Sequence, residues 1–155
     1  MPVTPEPIRP FEPVDAEACA RIVRACIGCD PSMPADLKEH LLRTESAALM
    51  CERAKLFYVA VCLLNGRPVA LGGLDMNEIR ILFVDPAHQR AGIGGTMLEH
   101  LEALVPAGLF SDIFVYAVPG TAAFYRARGY QAGGEHAFRS GGHAINTIFM
   151  TKAIG

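Results

Sequence analysis

Residues 84–104 read VDPAHQRAGIGGTMLEHLEAL and change character midway. Ahead of them runs the nearly apolar EIRILFV, Glu78 to Val84. Behind come Met97, Leu98, Leu101, Leu104 and Val105 at helical spacing. Gly92, Gly94 and Gly95 stand between, with Gln89 and Arg90 just ahead. A strand that becomes a helix through glycines sets a helix N-terminus beside bare backbone. That end offers unpaired N–H groups and about half a positive charge. Glycine lets successive N–H groups tilt toward one point and keeps Cβ atoms out of an anion's way. Arg90 adds a full charge. A plain tight turn is the alternative, and spacing must choose between them.

Spacing excludes two common nucleotide loops. A Walker loop ends in G-K-[ST], whereas Gly95 is followed by Thr96 and Met97. A Rossmann loop needs G-x-G-x-x-G; counted from Gly92, the third glycine falls on Met97, and no β-α-β repeat surrounds it. What remains is Q/R-x-x-G-x-G/A, here Gln89, Gly92 and Gly94.

The flanking pattern gives an order of elements. A short extended piece, PIRPFEPV, leads to Asp15, placed to cap a helix bearing Cys19, Ile22, Val23, Cys26 and Ile27 and stopped by Gly28. A second helix follows DPSMP with Leu37, Leu41 and Leu42 on one side. The strand KLFYVAVCLL turns at Asn65-Gly66 into RPVALGGL, and DMN turns that strand into EIRILFV. After the glycine loop and its helix, closed by Pro106, come the strand SDIFVYAV and a short helix from Pro119 to Gly129. Two final strands are YQAGGEHAF and HAINTIFMT. The order β-α-α-β-β-β-α-β-α-β-β predicts an α+β fold with a mixed sheet. No repeat or linker divides residues 1–155, so one domain is expected.

Composition narrows the function. A chain of 155 residues, 51% apolar and 19% charged, has enough apolar side chains for one real core. Its longest apolar run, LFYVAVCLL, is too short to span a bilayer. MPVTPEPIRPFEPVD lacks the basic start and apolar stretch of a secretory leader, so a cytoplasmic location and no membrane partner are expected. A net charge of −2 without Lys/Arg runs speaks against nucleic acid. Of five cysteines only Cys26 and Cys29 form a C-x-x-C, with no second pair for zinc. That pair sits at the wrong end of its helix for an activated thiolate. Buried or partly buried thiols, and no metal, are expected.

VDPAHQRAGIGGTML resembles the pyrophosphate loop of the GNAT superfamily of acetyl-CoA-dependent N-acetyltransferases. FYRARGY, Phe124 to Tyr130, resembles that family's second signature, F-Y-x-x-x-G-F. The order of elements matches along essentially the whole chain. The resemblance implies a GNAT-type, mostly antiparallel sheet flanked by helices, with acetyl-CoA as co-substrate. The pyrophosphate would lie on the backbone of Arg90, Ala91, Gly92, Ile93, Gly94 and Gly95, between Gln89 and Thr96. The pantetheine arm would run along Leu82, Phe83 and Val84, where the sheet splays from Phe114–Val118.

The implied reaction is direct attack of an amine on the thioester, with Tyr125 as general acid. Glu78 is the candidate base and Asp75 a weaker substitute; His88 reads as a loop histidine. One departure is that the family's Asn seven residues before the Tyr is Val118 here. Its contact must be absent, or made by Thr121 or backbone. The implied acceptor is a small-molecule amine, or a peptide or protein amine, held by about Cys26 to Leu42 and His136 to His143. Asp30, Asp36, Glu39 and Glu135 there oppose Lys38, Arg139 and two histidines. Pairing of C-terminal strands into a homodimer is a further implication. The alternative functions are a non-catalytic acyl-CoA-binding or sensor domain and an interaction protein; Tyr125 together with Glu78 favours the enzyme.

Overall fold

Two tight turns organise the centre of the sheet. Asn65 and Gly66 both take positive φ, 53° and 76°, the pattern a two-residue hairpin requires. They fold β2 (Tyr58–Leu64) onto β3 (Arg67–Asp75). Met76, at φ 58°, helps fold β3 onto β4 (Glu78–Val84). The computed structural model describes residues 6–155. Residues 1–5, where the stretch read for a leader begins, lie outside the described residues.

The sheet has seven strands in the order β1-β2-β3-β4-β5-β7-β6, with β1 at Arg9–Pro10, β5 at Asp112–Ala117, β6 at Gln131–Ser140 and β7 at His143–Ala153. Every pairing is antiparallel except that of β4 with β5. One face of β2–β4 is covered by α1 (Ala16–Gly28) and α3 (Ala47–Leu56), packing Ile22, Val23 and Met50 against Val59, Val61 and Leu71. The other face carries α4 (Ile93–Leu104) and α5 (Ala122–Arg126), whose Leu98, Leu101, Ala122 and Tyr125 pack with Ile79, Ile113 and Val115. In the chain, α2 (Ala35–Thr44) connects α1 to α3. Among the described residues no helix is long and apolar enough to cross a membrane.

The predicted order holds with one helix added. Ser46 accepts a hydrogen bond from the Leu49 N–H at 3.1 Å and starts α3, a cap worth about 1 kcal/mol. Only Met50 of that helix is fully buried, so the sequence shows no apolar stripe there. Lys55 and Leu56, read as the start of a strand, end α3. Asp15 also departs from its expected role. It stands at the N-cap of α1 without a side-chain cap. Its carboxylate instead accepts from Arg9, at 2.8 and 2.9 Å, and from the Glu12 N–H at 2.8 Å. The ion pair with the first strand has taken the oxygens that a cap would use. Of the cysteines, Cys19 and Cys62 are buried and Cys26 and Cys51 partly so, whereas Cys29 is exposed.

A bulge in β4 decides which side chains reach the site. Gly73 pairs with Ile81 and Leu74 with Ile79, leaving Arg80 as the extra residue. Ile79, Leu82 and Val84 therefore point to the α4 face, and Ile81 and Phe83 to the α1 face. Without the bulge, strict alternation would set Ile79 and Ile81 on one side. β4 pairs with β5 only at Glu78–Phe114 and Ile79–Val115. Beyond Ile79 the two strands part, and the Arg80–Val84 backbone faces a slot.

Candidate active site

The loop after β4 is held from behind. Both the Gln89 amide and the Cys26 thiol donate to the Val84 carbonyl, each at 3.1 Å, which pins the end of the strand. Burial, only partly offset by that bond, pushes the Cys26 thiol up to about 11, so it stays a thiol. Arg90 takes φ 66° and Gly92 φ 82°. A side chain at Gly92 would be strained by that left-handed conformation. Gly92 is the N-cap of α4 without a side-chain cap. Its carbonyl accepts from the Thr96 N–H and hydroxyl at 3.1 and 3.0 Å, while the first-turn N–H groups keep no helical partner.

These groups open into a cavity of about 410 Å³. It is lined by Leu82, Val84 and Gly94, by Phe124, Tyr125 and Arg128, and by Gln89 and Arg90. A Cβ added at Gly94 would lie 3.2 Å from the Phe124 ring, and one at Gly95 would lie 2.9 Å from Arg128 Nη2. The glycines therefore let α5 close over the loop. The Arg128 guanidinium stacks over Phe124 at 4.0 Å and donates to its carbonyl at 3.2 Å. A second cation thus stands at the α4 N-terminus beside Arg90.

Tyr125 is 4% exposed and lines this cavity. Its ring meets Phe124 and Tyr130 edge-on, with centroids 5.1 and 5.4 Å away. Tyr130 is itself tied down, donating to Glu102 at 2.8 Å, and the same Glu102 oxygen takes Lys152 at 3.0 Å. The Tyr125 hydroxyl has no hydrogen-bond partner among the described residues. Burial pushes its phenol above the ordinary value of about 10. It remains a proton donor through the neutral range.

Glu78 does not line the cavity. It pairs with Phe114 across the β4–β5 junction and, as Ile79 and Val115 point to the α4 face, it points to the other. Partial burial raises its carboxyl, and Asp75 adds to this while Arg80 opposes it. The slot therefore has a buried phenol on one face of the sheet and a raised carboxyl on the other. Of the predicted loop residues, Ile93 is buried, and Phe83 faces α1, so its side chain lies away from the cavity. Ala91 and Thr96 are exposed and outside the lining. Thr121 does line it, but its hydroxyl is bound to the Val118 carbonyl at 2.9 Å. His88 pairs with Asp85 at 3.6 Å outside this cavity. The sequence reading missed Arg128 and Phe124 as wall residues. Both sit inside the FYRARGY signature, one helical turn apart, and that spacing could have found them.

The family model of the GNAT acetyltransferase domain matches residues 53–132, just over half of the chain. The chain belongs to that family of acetyltransferases. Solved structures agree along the full length. A GCN5-related N-acetyltransferase from Rhodopseudomonas palustris superposes with a TM-score of 0.90 at 25% identity, covering 99% of each chain. PaiA N-acetyltransferase from Thermoplasma acidophilum, solved in complex with coenzyme A, has a TM-score of 0.73 at 15% identity over 97% of this chain and 99% of its own. A phosphinothricin acetyltransferase from Sinorhizobium meliloti in complex with acetyl-CoA has 0.66 at 20% identity, over 100% and 90%. No curated protein sequence matches the chain.

Proposed function

We propose that the protein transfers an acetyl group from acetyl-CoA to the primary amine of a small molecule. The observation that carries this reading is the parting of β4 and β5 beside a cavity lined by Gly92, Gly94 and Gly95 together with Arg128 and Tyr125. The donor set fits the coenzyme. Free N–H groups at the α4 N-terminus, Arg90 and Arg128 suit a pyrophosphate. The Arg80–Phe83 edge, which β5 leaves unpaired, suits the amides of the pantetheine arm.

Bound acetyl-CoA supplies the acetyl group as a thioester. The acceptor nitrogen forms the new C–N bond as the C–S bond breaks. Glu78 takes the proton the amine gives up, and Tyr125 gives its own to the departing sulfur, regaining one through solvent. Each acts from its own face of the sheet. Holding the two reactants at the slot contributes up to roughly 7–11 kcal/mol in well-oriented cases, and an acid or base about 10²–10⁴-fold. We also read β6, an edge strand with Gln131–Arg139 exposed, as the surface through which two copies pair. Sedimentation in the micromolar range should return a dimer, and a monomer at all concentrations removes that reading.

The test of the reaction is thiol release from acetyl-CoA with a panel of primary amines, with mass detection of the acetylated amine. Amine-dependent release with a matching product supports the enzyme. Tight binding of acetyl-CoA without release for any amine favours the sensor domain.

A further inference from the structure

We propose that the acceptor is an amine carried on an aromatic body, seated on a ledge of five rings running from the β4–β5 junction to the β6 edge. The proposal rests on the acetyl-transfer reading and names its substrate class.

The ledge follows from register. Ile113, Val115 and Met150 fill the core on the α4 face, so Phe114, Tyr116 and Phe149 stand on the opposite face. β6 adds His136 and Phe138, paired with Thr147 and Ile145 of β7. The five rings form one continuous cluster, with Phe114, Tyr116 and Phe149 mutually 5.5–5.8 Å apart. Tyr116 then meets His136 at 5.2 Å and Phe138 at 4.9 Å. None of the five belongs to a hydrophobic core cluster. Phe138 is 40% exposed. Phe114, Tyr116 and Phe149 are half-buried; the chain has only twelve Phe and Tyr residues in all, so four of them outside every core cluster form an apolar surface the core does not use.

Charge along the ledge selects the ligand. Its inner end meets Glu78, with Asp75 its neighbour in β3 and Arg80 paired to Asp75 at 3.3 Å. Its outer end meets the β6–β7 turn, where α2 docks through His40 on Ser140 at 3.1 Å and Asp36 beside His143 at 3.5 Å. Glu135 and Arg139, candidates for acceptor binding by sequence, alternate onto the other face of β6 and leave the ledge free of their charges. A cationic amine head at Glu78 with an apolar body over the rings matches this gradient, and rings also attract ammonium groups. Adjacent strands are about 4.8 Å apart. A ring one short tether from the nitrogen therefore reaches Phe114, and a larger one Tyr116 and Phe149.

The experiment compares kcat/KM for 2-phenylethylamine and propylamine at equal free-base concentration, in the native protein and in Tyr116→Leu and Phe138→Leu. The aromatic amine should be preferred about tenfold or more, a factor within reach of ring contacts. Either substitution should shrink that preference while leaving the KM for acetyl-CoA unchanged. Phe138 is exposed enough for its variant to fold. Equal kcat/KM for the two amines, or a preference that survives both substitutions, overturns the substrate class and leaves acetyl transfer standing. Thiol release with neither amine but with another primary amine of the panel overturns this substrate class alone, and release with no amine at all overturns the acetyl-transfer reading and this one with it.

Discussion

Tyr125→Phe separates chemistry from packing because the hydroxyl has no partner to lose among the described residues. The ring lies in the core beside Phe124 and Tyr130 and is retained by phenylalanine. With no internal hydrogen bond broken, the stability change should stay within about 0.5 kcal/mol. For a chain of this length that is a Tm shift of no more than about 2 °C. Loss of a general acid lowers turnover by about 10²–10⁴-fold. The low end is expected here, since a thiol with an ordinary pKa near 8.5 can depart as thiolate more readily than an alcohol. The assay is steady-state thiol release with an excess of amine, paired with calorimetric titration of acetyl-CoA. A fall in kcat near 10²-fold at unchanged coenzyme affinity is the predicted result. A variant with native kcat removes Tyr125 from the mechanism. A fall in Tm of 5 °C or more would show that the hydroxyl holds a structural bond, and the argument from its lack of partners would fail.

Other perturbations follow from the same geometry. Glu78→Gln should cut kcat/KM and abolish its acidic limb, whose midpoint lies above the usual carboxylate value of about 4.3 because burial raises the group. The sign for stability is opposite: at pH 7 the folded state strains to keep this carboxylate ionised, so Gln should raise Tm there. The gain should vanish below about pH 4, where both states are protonated, and scanning calorimetry at the two pH values checks it. Arg128→Gln should weaken acetyl-CoA about tenfold or more through loss of a charged hydrogen-bond donor, read by titration. Gly73→Ala would set a Cβ 2.6 Å from the Phe57 ring and 2.8 Å from Ile81. It should cost about 1–3 kcal/mol of stability by urea unfolding without changing the ratio of amine substrates.

The fold was legible where local chemistry is strong. Asn65-Gly66, the periodic face of α4 and the glycines after β4 each act within a few residues, so sequence exposes them. α3 was hidden because it docks mainly through Met50 and carries its signal in one cap, Ser46. Asp15 misled for a tertiary reason: Arg9 arrives from another element and takes its carboxylate. At the site, the loop and FYRARGY were readable as motifs. The opposed placement of Glu78 and Tyr125 was not, because it depends on the bulge at Arg80 and on two residue pairs between β4 and β5. No periodicity in EIRILFV announces that bulge. The aromatic ledge was equally hidden, its rings being spread over three strands that become neighbours only through the β5-β7-β6 order.

If the glycine-lined cavity takes coenzyme A, thermal unfolding with ligand will show it. Acetyl-CoA at a hundredfold excess over its dissociation constant adds about 2.7 kcal/mol, which for this chain is a Tm rise of roughly 5–10 °C. ATP and NAD at the same concentration serve as controls. A rise with acetyl-CoA, much reduced in Arg128→Gln and missing with the controls, is the predicted result. An equal rise with ATP, or none with acetyl-CoA, would contradict the account and return Gly92, Gly94 and Gly95 to the role of a turn.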